Sequence, residues 1–392
     1  MRRVGVVTVG RSDWGILRPV VKRIVTEPEL DLMLIAAGMH LDQRWGKTVD
    51  GIEAEGCEVA HRVACPPRDD SPGGVAEAMG AGIQGFAAVF AAERPDILLV
   101  MGDRFEMFAA AVAALPFKIP VAHIHGGELT QGALDDALRH SITKLAHVHF
   151  VATDEYAGRV IQMGEEPQRV TVTGAPGLDN IREMELLTTA ELQDKLGVRW
   201  DMAPLLVTFH PVTLEYEATE YHISELLTAL ENRAEPLVFT APNADTGNLV
   251  IRRKVVEFAG ARDGGNRLFI ENLGTRDYFS LMACAAAMVG NSSSGIIEAP
   301  SFALPVVNIG TRQQGRMRAA NVIDVGYGRD EIAATLERAV SPEFRASLRG
   351  MENPYGDGRA AQRIVERLKS VELGQSLVMK RFYDHSSKRV SE

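Results

Sequence analysis

The stretch VGVVTVGRSDWGILRPVVKRIV, residues 4–25, decides the fold. Val4–Val9 is an apolar run that stops at Gly10, and residues 16–25 carry the mixed apolar and basic pattern of a helix, so the segment reads as a buried strand feeding a βα loop. Working outward, the pattern recurs: LMLIAAG at 32–38, ILLVMG at 97–102, VAHIHGG at 121–127 and HVHFVAT at 147–153 are short apolar runs ending in Gly or polar residues, with helical material such as 75–92 and 105–114 separating them. Strands alternating with helices predict a parallel sheet covered on both faces. A second series follows residue 200: LLVTFH at 205–210, PLVFTA at 236–241, RLFIEN at 267–272, AAMVGN at 286–291 and PVVNIG at 305–310. The segment between the two series, about 179–203, reads as a helical connection. The expected architecture is therefore α/β, two doubly wound halves with parallel sheets. No internal repeat or low-complexity tract is evident, and the polar tail from about 373 is expected to be mobile.

Composition narrows the function classes. The 392 residues suit two or three domains. With 46% hydrophobic and 24% charged residues the chain is far from disordered, collagenous or coiled-coil compositions. Its 42 Lys+Arg against 52 Asp+Glu give a net charge of −10, which argues against nucleic acid as a partner while leaving room for a local basic pocket. Cys57, Cys65 and Cys284 have neither CxxC spacing nor an even count, so a reducing cytoplasm is expected rather than a disulfide scaffold or zinc ribbon. The N-terminus lacks the long apolar core of a signal peptide, and no stretch approaches about 20 uninterrupted apolar residues, so no membrane span is expected.

Ligands of open α/β sheets sit beyond the carboxyl ends of the strands, and with two such domains face to face the expected site is the groove they share. Gly290-Asn291-Ser292-Ser293-Ser294-Gly295 follows one strand and opens a helix; it reads either as a diphosphate cradle or as a serine-capped helix after a glycine turn. It is neither a Walker motif nor GxGxxG, so ATP or NAD is not implied. Gly310–Arg316 places Arg312 and Arg316 in a loop, as phosphate ligands or as solvated charges. Arg11 and Asp13 stand where the first strand ends, for anion recognition or a surface ion pair. Asp103, after ILLVMG, is a candidate acid/base or a helix N-cap. The densest stretch is His123-Ile124-His125-Gly126-Gly127-Glu128, followed by Asp135-Asp136 and Arg139-His140. Side-chain alternation predicts that His123 and His125 share one strand face. No HExxH accompanies them, so proton transfer is favoured over a metal site. His210 ends another strand and gains weight from that position.

Together these residues resemble the hydrolysing UDP-N-acetylglucosamine 2-epimerase family, the NeuC type that makes N-acetylmannosamine for sialic acid synthesis. The resemblance runs from about residue 3 to 370 and rests on GDRFEM at 102–107, HIHGGE at 123–128, DDALRHSITKLAH at 135–147, NSSSGIIEAP at 291–300 and GTRQQGR at 310–316, in order. It implies a glycosyltransferase-B-like fold of two Rossmann-like domains: 1–178 with the acid/base residues, 179–365 binding the nucleotide, a helix at about 366–380 packing back on the first domain, and a mobile tail at 381–392. It implies a UDP-sugar substrate and chemistry without a redox cofactor, and no metal ligands are assigned. UDP is eliminated across C1 and C2 to give a 2-acetamidoglucal, water adds, and C2 is reprotonated from the opposite face. Carried over, Asp103 and Asp135 match proton-transfer positions, with Arg139 at the family's spacing from Asp135. His210 matches the histidine of the HP motif, and Arg11 approaches the phosphates. Ser292, Ser293 and Ser294, with Gly295, hold the diphosphate and Arg316 matches a substrate position; Glu298 takes the ribose, and Asn243 and Asn272 border the sugar or nucleoside. Many relatives read HIEGGE, whereas here the third position is His125, so either His125 or Glu128 takes over that carboxylate's task. The expected function is a cytoplasmic, homodimeric hydrolysing epimerase of UDP-N-acetylglucosamine. The alternatives are the same reaction on the UDP-linked 2,4-diacetamido-6-deoxy sugar of legionaminic acid synthesis, and a glycosyltransferase.

Overall fold

A computed structural model describes residues 1–69, 71–130, 134–242, 247–261 and 266–384. Two compact units emerge, one gathering Met1–Glu128, Leu134–Asn180 and Tyr355–Glu392, the other built on Ile181–Pro354.

In the first unit seven strands form one sheet: β1 (Arg2–Thr8), β2 (Leu30–Ala37), β3 (His61–Val63), β4 (Ile97–Met101), β5 (Val121–Ile124), β6 (Val148–Val151) and β7 (Val170–Val172), in the order β3-β2-β1-β4-β5-β6-β7. Every pairing is parallel, as strands buried on both faces by crossover helices require. The second unit holds β8 (Leu205–Thr208), β9 (Leu237–Thr240), β10 (Arg267–Ile270), β11 (Ala287–Gly290), β12 (Val306–Ile309) and β13 (Val322–Val325), parallel in the order β10-β9-β8-β11-β12-β13. Alternate residues of β8 go to opposite faces. Leu205 and Val207 join one core with Phe239 and Val307, while Leu206 joins another with Val238, Met288 and Val306. The α/β expectation of two Rossmann-like halves with parallel sheets is met.

Sequence order reverses once in each sheet, between β1 and β4 and between β8 and β11. At such a switch point the flanking loops leave toward opposite faces, and a crevice opens at the carboxyl ends of those two strands.

The chain returns to the first unit at Tyr355, earlier than the expected 366. The helix Ala360–Ser370 buries Ala361, Ile364, Val365 and Leu368 in the first core. Its first amides, Ala360 N and Ala361 N, donate to the buried carboxylate of Asp179 at 2.9 and 2.7 Å, which fixes the return to the point of departure. Beyond it, Lys380 is anchored by Glu165 at 2.7 Å and by the carbonyls of Lys144 and Ala146. Residues 381–384, expected in the mobile tail, follow this anchor, and Tyr383 N donates to Gly164 O at 2.9 Å. Residues 385–392 lie outside the described residues.

One helix among the described residues, Pro72–Ala92, is long and apolar enough to cross a membrane by length and composition alone. It is a covering helix of the first sheet: Phe86 and Phe90 are buried in the core, and a Cβ on Gly82 would stand 3.0 Å from Ala109 of the next helix.

Candidate active site

The first switch point gathers charge. Asp103 follows β4 and receives a hydrogen bond from Arg139, which is buried on the helix Leu134–Leu145. Arg139 also donates to His125 O at 3.0 Å and lies 3.8 Å from Glu128. Asp135 is exposed in the first turn of that helix, where an acid suits the helix dipole, and it acts electrostatically on Arg104. Arg11 is exposed at the first residue of the helix Arg11–Thr26, directly beyond β1.

His123 and His125 do not behave as one strand face. β5 ends at Ile124, and His125 takes φ +65, a left-handed conformation that turns its ring out of the alternation. His123 stays in the sheet, fully buried. Gly102 O can only accept, so the Nε2 proton of His123 is donated to it at 2.8 Å, and Nδ1 faces Thr143 Oγ1 at 3.2 Å. Burial, only partly opposed by the bond to Gly102, lowers its pKa to about 3. This is a neutral imidazole holding the turn that presents Asp103. His125 instead places Nδ1 2.6 Å from Glu128 Oε1, with Glu128 only 2% exposed. The two candidates for the missing carboxylate's task are therefore one pair. A buried carboxylate accepting the Nδ1 proton fixes the tautomer and leaves Nε2 as a base.

The turn at the second switch point is built mainly from neutral groups, with Arg312 reaching it from the loop after β12. Gly290 closes β11 with φ +133, and a Cβ there would stand 1.9 Å from Thr208 O, so only glycine fits. Asn291, fully buried, accepts from His210 N at 2.7 Å and donates to His210 O at 2.8 Å, tying the end of β8 to the end of β11. Its own carbonyl accepts from Gln313 at 2.8 Å and Arg312 at 3.3 Å, which adds the loop after β12. Ser292 is the N-cap of the short helix Ser293–Ile297 and accepts from Ser294 N at 3.3 Å. Ser293 and Ser294 are half-buried, whereas Gly295 is buried, with Val306 2.9 Å from where a Cβ would stand. Glu298 is half-buried at the C-cap of that helix.

Sequence reasoning missed Tyr278. Its hydroxyl lies beside Ser294, Thr208 and Ser292, and burial pushes its pKa up to about 12 against their influence, so it stays neutral at the serine turn. Asn291, Gln313 and Arg312 are likewise structural partners of that turn. Arg316 is half-buried in the same loop and its carbonyl accepts from Arg318 at 2.7 Å. Asn272 is exposed and accepts from Gly274 N at 3.1 Å, shaping the turn before the helix Gly274–Cys284. Asn243 lies outside the described residues.

One edge thus offers coupled proton carriers, the other hydroxyl and amide donors suited to an anion. The sequence profile of the family described as UDP-N-acetylglucosamine 2-epimerase matches residues 22–369. The chain is 37% identical over 381 residues to a hydrolysing UDP-N,N'-diacetylbacillosamine 2-epimerase of Legionella pneumophila, covering 97% of this chain and 99% of the relative. It is 36% identical over 385 residues to a hydrolysing GDP/UDP-N,N'-diacetylbacillosamine 2-epimerase of Campylobacter jejuni, covering 98% and 99%. In fold it is similar to the UDP-GlcNAc 2-epimerase from Neisseria meningitidis bound to UDP-GlcNAc, with a TM-score of 0.80 at 20% identity, covering 94% and 99%.

Proposed function

The chain belongs to the UDP-N-acetylglucosamine 2-epimerase family, and from that premise we propose that it is a hydrolysing 2-epimerase of a UDP-linked 2,4-diacetamido-2,4,6-trideoxyhexose of the diacetylbacillosamine type. The observation that carries the choice of sugar is the similarity, over almost the whole chain, to two relatives named for that substrate. It displaces the expectation of UDP-N-acetylglucosamine as first substrate. The His125–Glu128 pair supports the same reading, because it departs from the carboxylate pattern of the resemblance.

In this reading the serine turn holds the diphosphate through Ser292, Ser293, Ser294 and Tyr278, with His210, Arg11 and Arg316 as further phosphate contacts and Glu298 at the ribose. Elimination removes the C2 proton while the C1–O bond breaks and its electron pair leaves with UDP. Water then adds to C1, and a proton returns to C2 on the opposite face. Asp103, Asp135 and the Nε2 of His125 carry these protons, Glu128 orienting His125 and Arg139 stabilising Asp103. No redox cofactor enters the balance, since substrate and water account for every atom of UDP and the free sugar.

The enzyme is cytoplasmic in this proposal, in keeping with three free cysteines. It is a homodimer in this proposal. Incubation with each UDP-sugar in deuterium oxide tests the chemistry. The expected result is UDP release with deuterium at C2 of the free sugar, and kcat/KM at least about tenfold higher for the diacetamido substrate. An intact UDP-linked epimer as end product, or preference for UDP-N-acetylglucosamine, would overturn the reaction type or the substrate respectively.

A further inference from the structure

Asp13 is the third residue of the helix Arg11–Thr26, immediately beyond β1, and Asp103 and Arg104 follow β4. β1 and β4 are the neighbours at which the first sheet reverses its order, so these residues meet on one edge. Asp13 Oδ2 is buried and has no hydrogen-bond partner. Its nearest cation, Arg104 Nε, lies 3.9 Å away, beyond hydrogen-bond reach, but 3.3 Å from Glu106 Oε2, whose side chain is 1% exposed. One guanidinium faces two carboxylates, and the geometry gives it to Glu106.

A bare, buried oxygen is costly as an anion and tolerable as a neutral carboxyl. Burial, opposed by Arg104 and reinforced by Glu106 and Asp103, pushes the Asp13 pKa up to about 7. From the turn after β2, Met39 sulfur receives Arg104 Nη2 at 3.1 Å, and buried His40 hydrogen-bonds Thr8 and Thr48. Burial, with Arg104 adding to it, lowers His40 to about 4, so His40 stays neutral where Asp13 titrates.

We infer that Asp13 is a positioning residue for proton transfer at Asp103: while its carboxyl keeps a proton, Arg104 stays on Glu106 and no further anion is added to the edge that carries Asp103. The inference rests on the epimerase reading of Asp103. When Asp13 loses its proton to solvent, the new charge competes with Glu106 for Arg104 and adds an anion at the strand edge that carries Asp103, so turnover falls on the alkaline side.

The test is kcat and KM for UDP release between pH 6 and pH 8.5, for wild type and Asp13→Asn, which keeps the shape without titrating. Other titrating groups cancel in the ratio of the two kcat values. That ratio should rise about tenfold from pH 6 to pH 8, with the UDP dissociation constant unchanged. Asp13→Ser, a second non-titrating variant, should show the same rise and guards against a folding defect in the first. A ratio independent of pH in both variants, or no turnover by either at any pH with an unaltered unfolding midpoint, would overturn the inference. Failure of the wild type to release UDP from either sugar would instead sink the epimerase reading, and this inference with it.

Discussion

The two switch points occupy the same topological place and have opposite chemistry. The first packs Asp103, Arg104, Glu106, Glu128 and Arg139 with His125, every one of them able to carry charge. The second surrounds its turn with Asn291, Ser292, Ser294, Thr208 and Tyr278, none of which carries charge near neutral pH. Topology fixes where a doubly wound sheet binds, and side chains fix what happens there. Proton carriers must change charge during turnover and are held by partners of opposite sign. A diphosphate keeps its charge throughout, so fixed dipoles that need not reorganise serve it better.

The contrast breaks most visibly at Asp103. Asp103→Asn should lower kcat about 10²- to 10⁴-fold while leaving UDP affinity intact, as measured by single-turnover kinetics and calorimetry. Equal loss in both would erase the division of labour. The mirror variant, Asn291→Ala, strips the hub joining β8, β11 and the loop after β12. UDP binding should weaken about ten- to a hundredfold, because the His210 amide and carbonyl are left without their partner. Tyr278→Phe removes one donor and should cost about 1 kcal/mol of UDP affinity with kcat nearly unchanged, again by calorimetry.

The smallest effect concerns stability of the charged half alone. Glu165 is buried against His149 at 3.0 Å, Lys144 at 2.5 Å and Lys380 at 2.7 Å. Burial pushes its carboxyl up, but those hydrogen bonds outweigh it and lower the pKa from 4.5 to about 2. Its contribution is therefore present above pH 4.5 and is lost as pH falls through about 2. Glu165→Gln should flatten this acid dependence of amide protection in β6 and β7 while leaving β8 and β11 unaffected. Protection that falls equally in both halves would contradict the separation.

Of the thirteen strands among the described residues, nine follow from apolar runs in the sequence, the opening stretch at 4–9 included, and a tenth, β10, from RLFIEN although it is only half-buried. β3, β7 and β13 escaped because they are short and partly exposed, and β13, VIDV, carries an aspartate that breaks the run. The site residues that sit in ordered motifs were legible one by one. Their partnerships were not: the left-handed turn at His125, the pairing of His125 with Glu128, and Tyr278 reaching the serine turn all depend on segments distant in sequence or on backbone angles that residue type does not specify.

The sequence by itself determined the alternation of strand and helix, and hence two parallel sheets, because burial on both faces demands uninterrupted apolar runs and crossover connections. Tertiary structure alone decided which strand ends became neighbours, which imidazole was locked neutral in the sheet and which was paired with a carboxylate, and which of two acids received Arg104. Those outcomes turn on differences of an ångström in distance and on removal from water, quantities that exist only once the chain has closed around them.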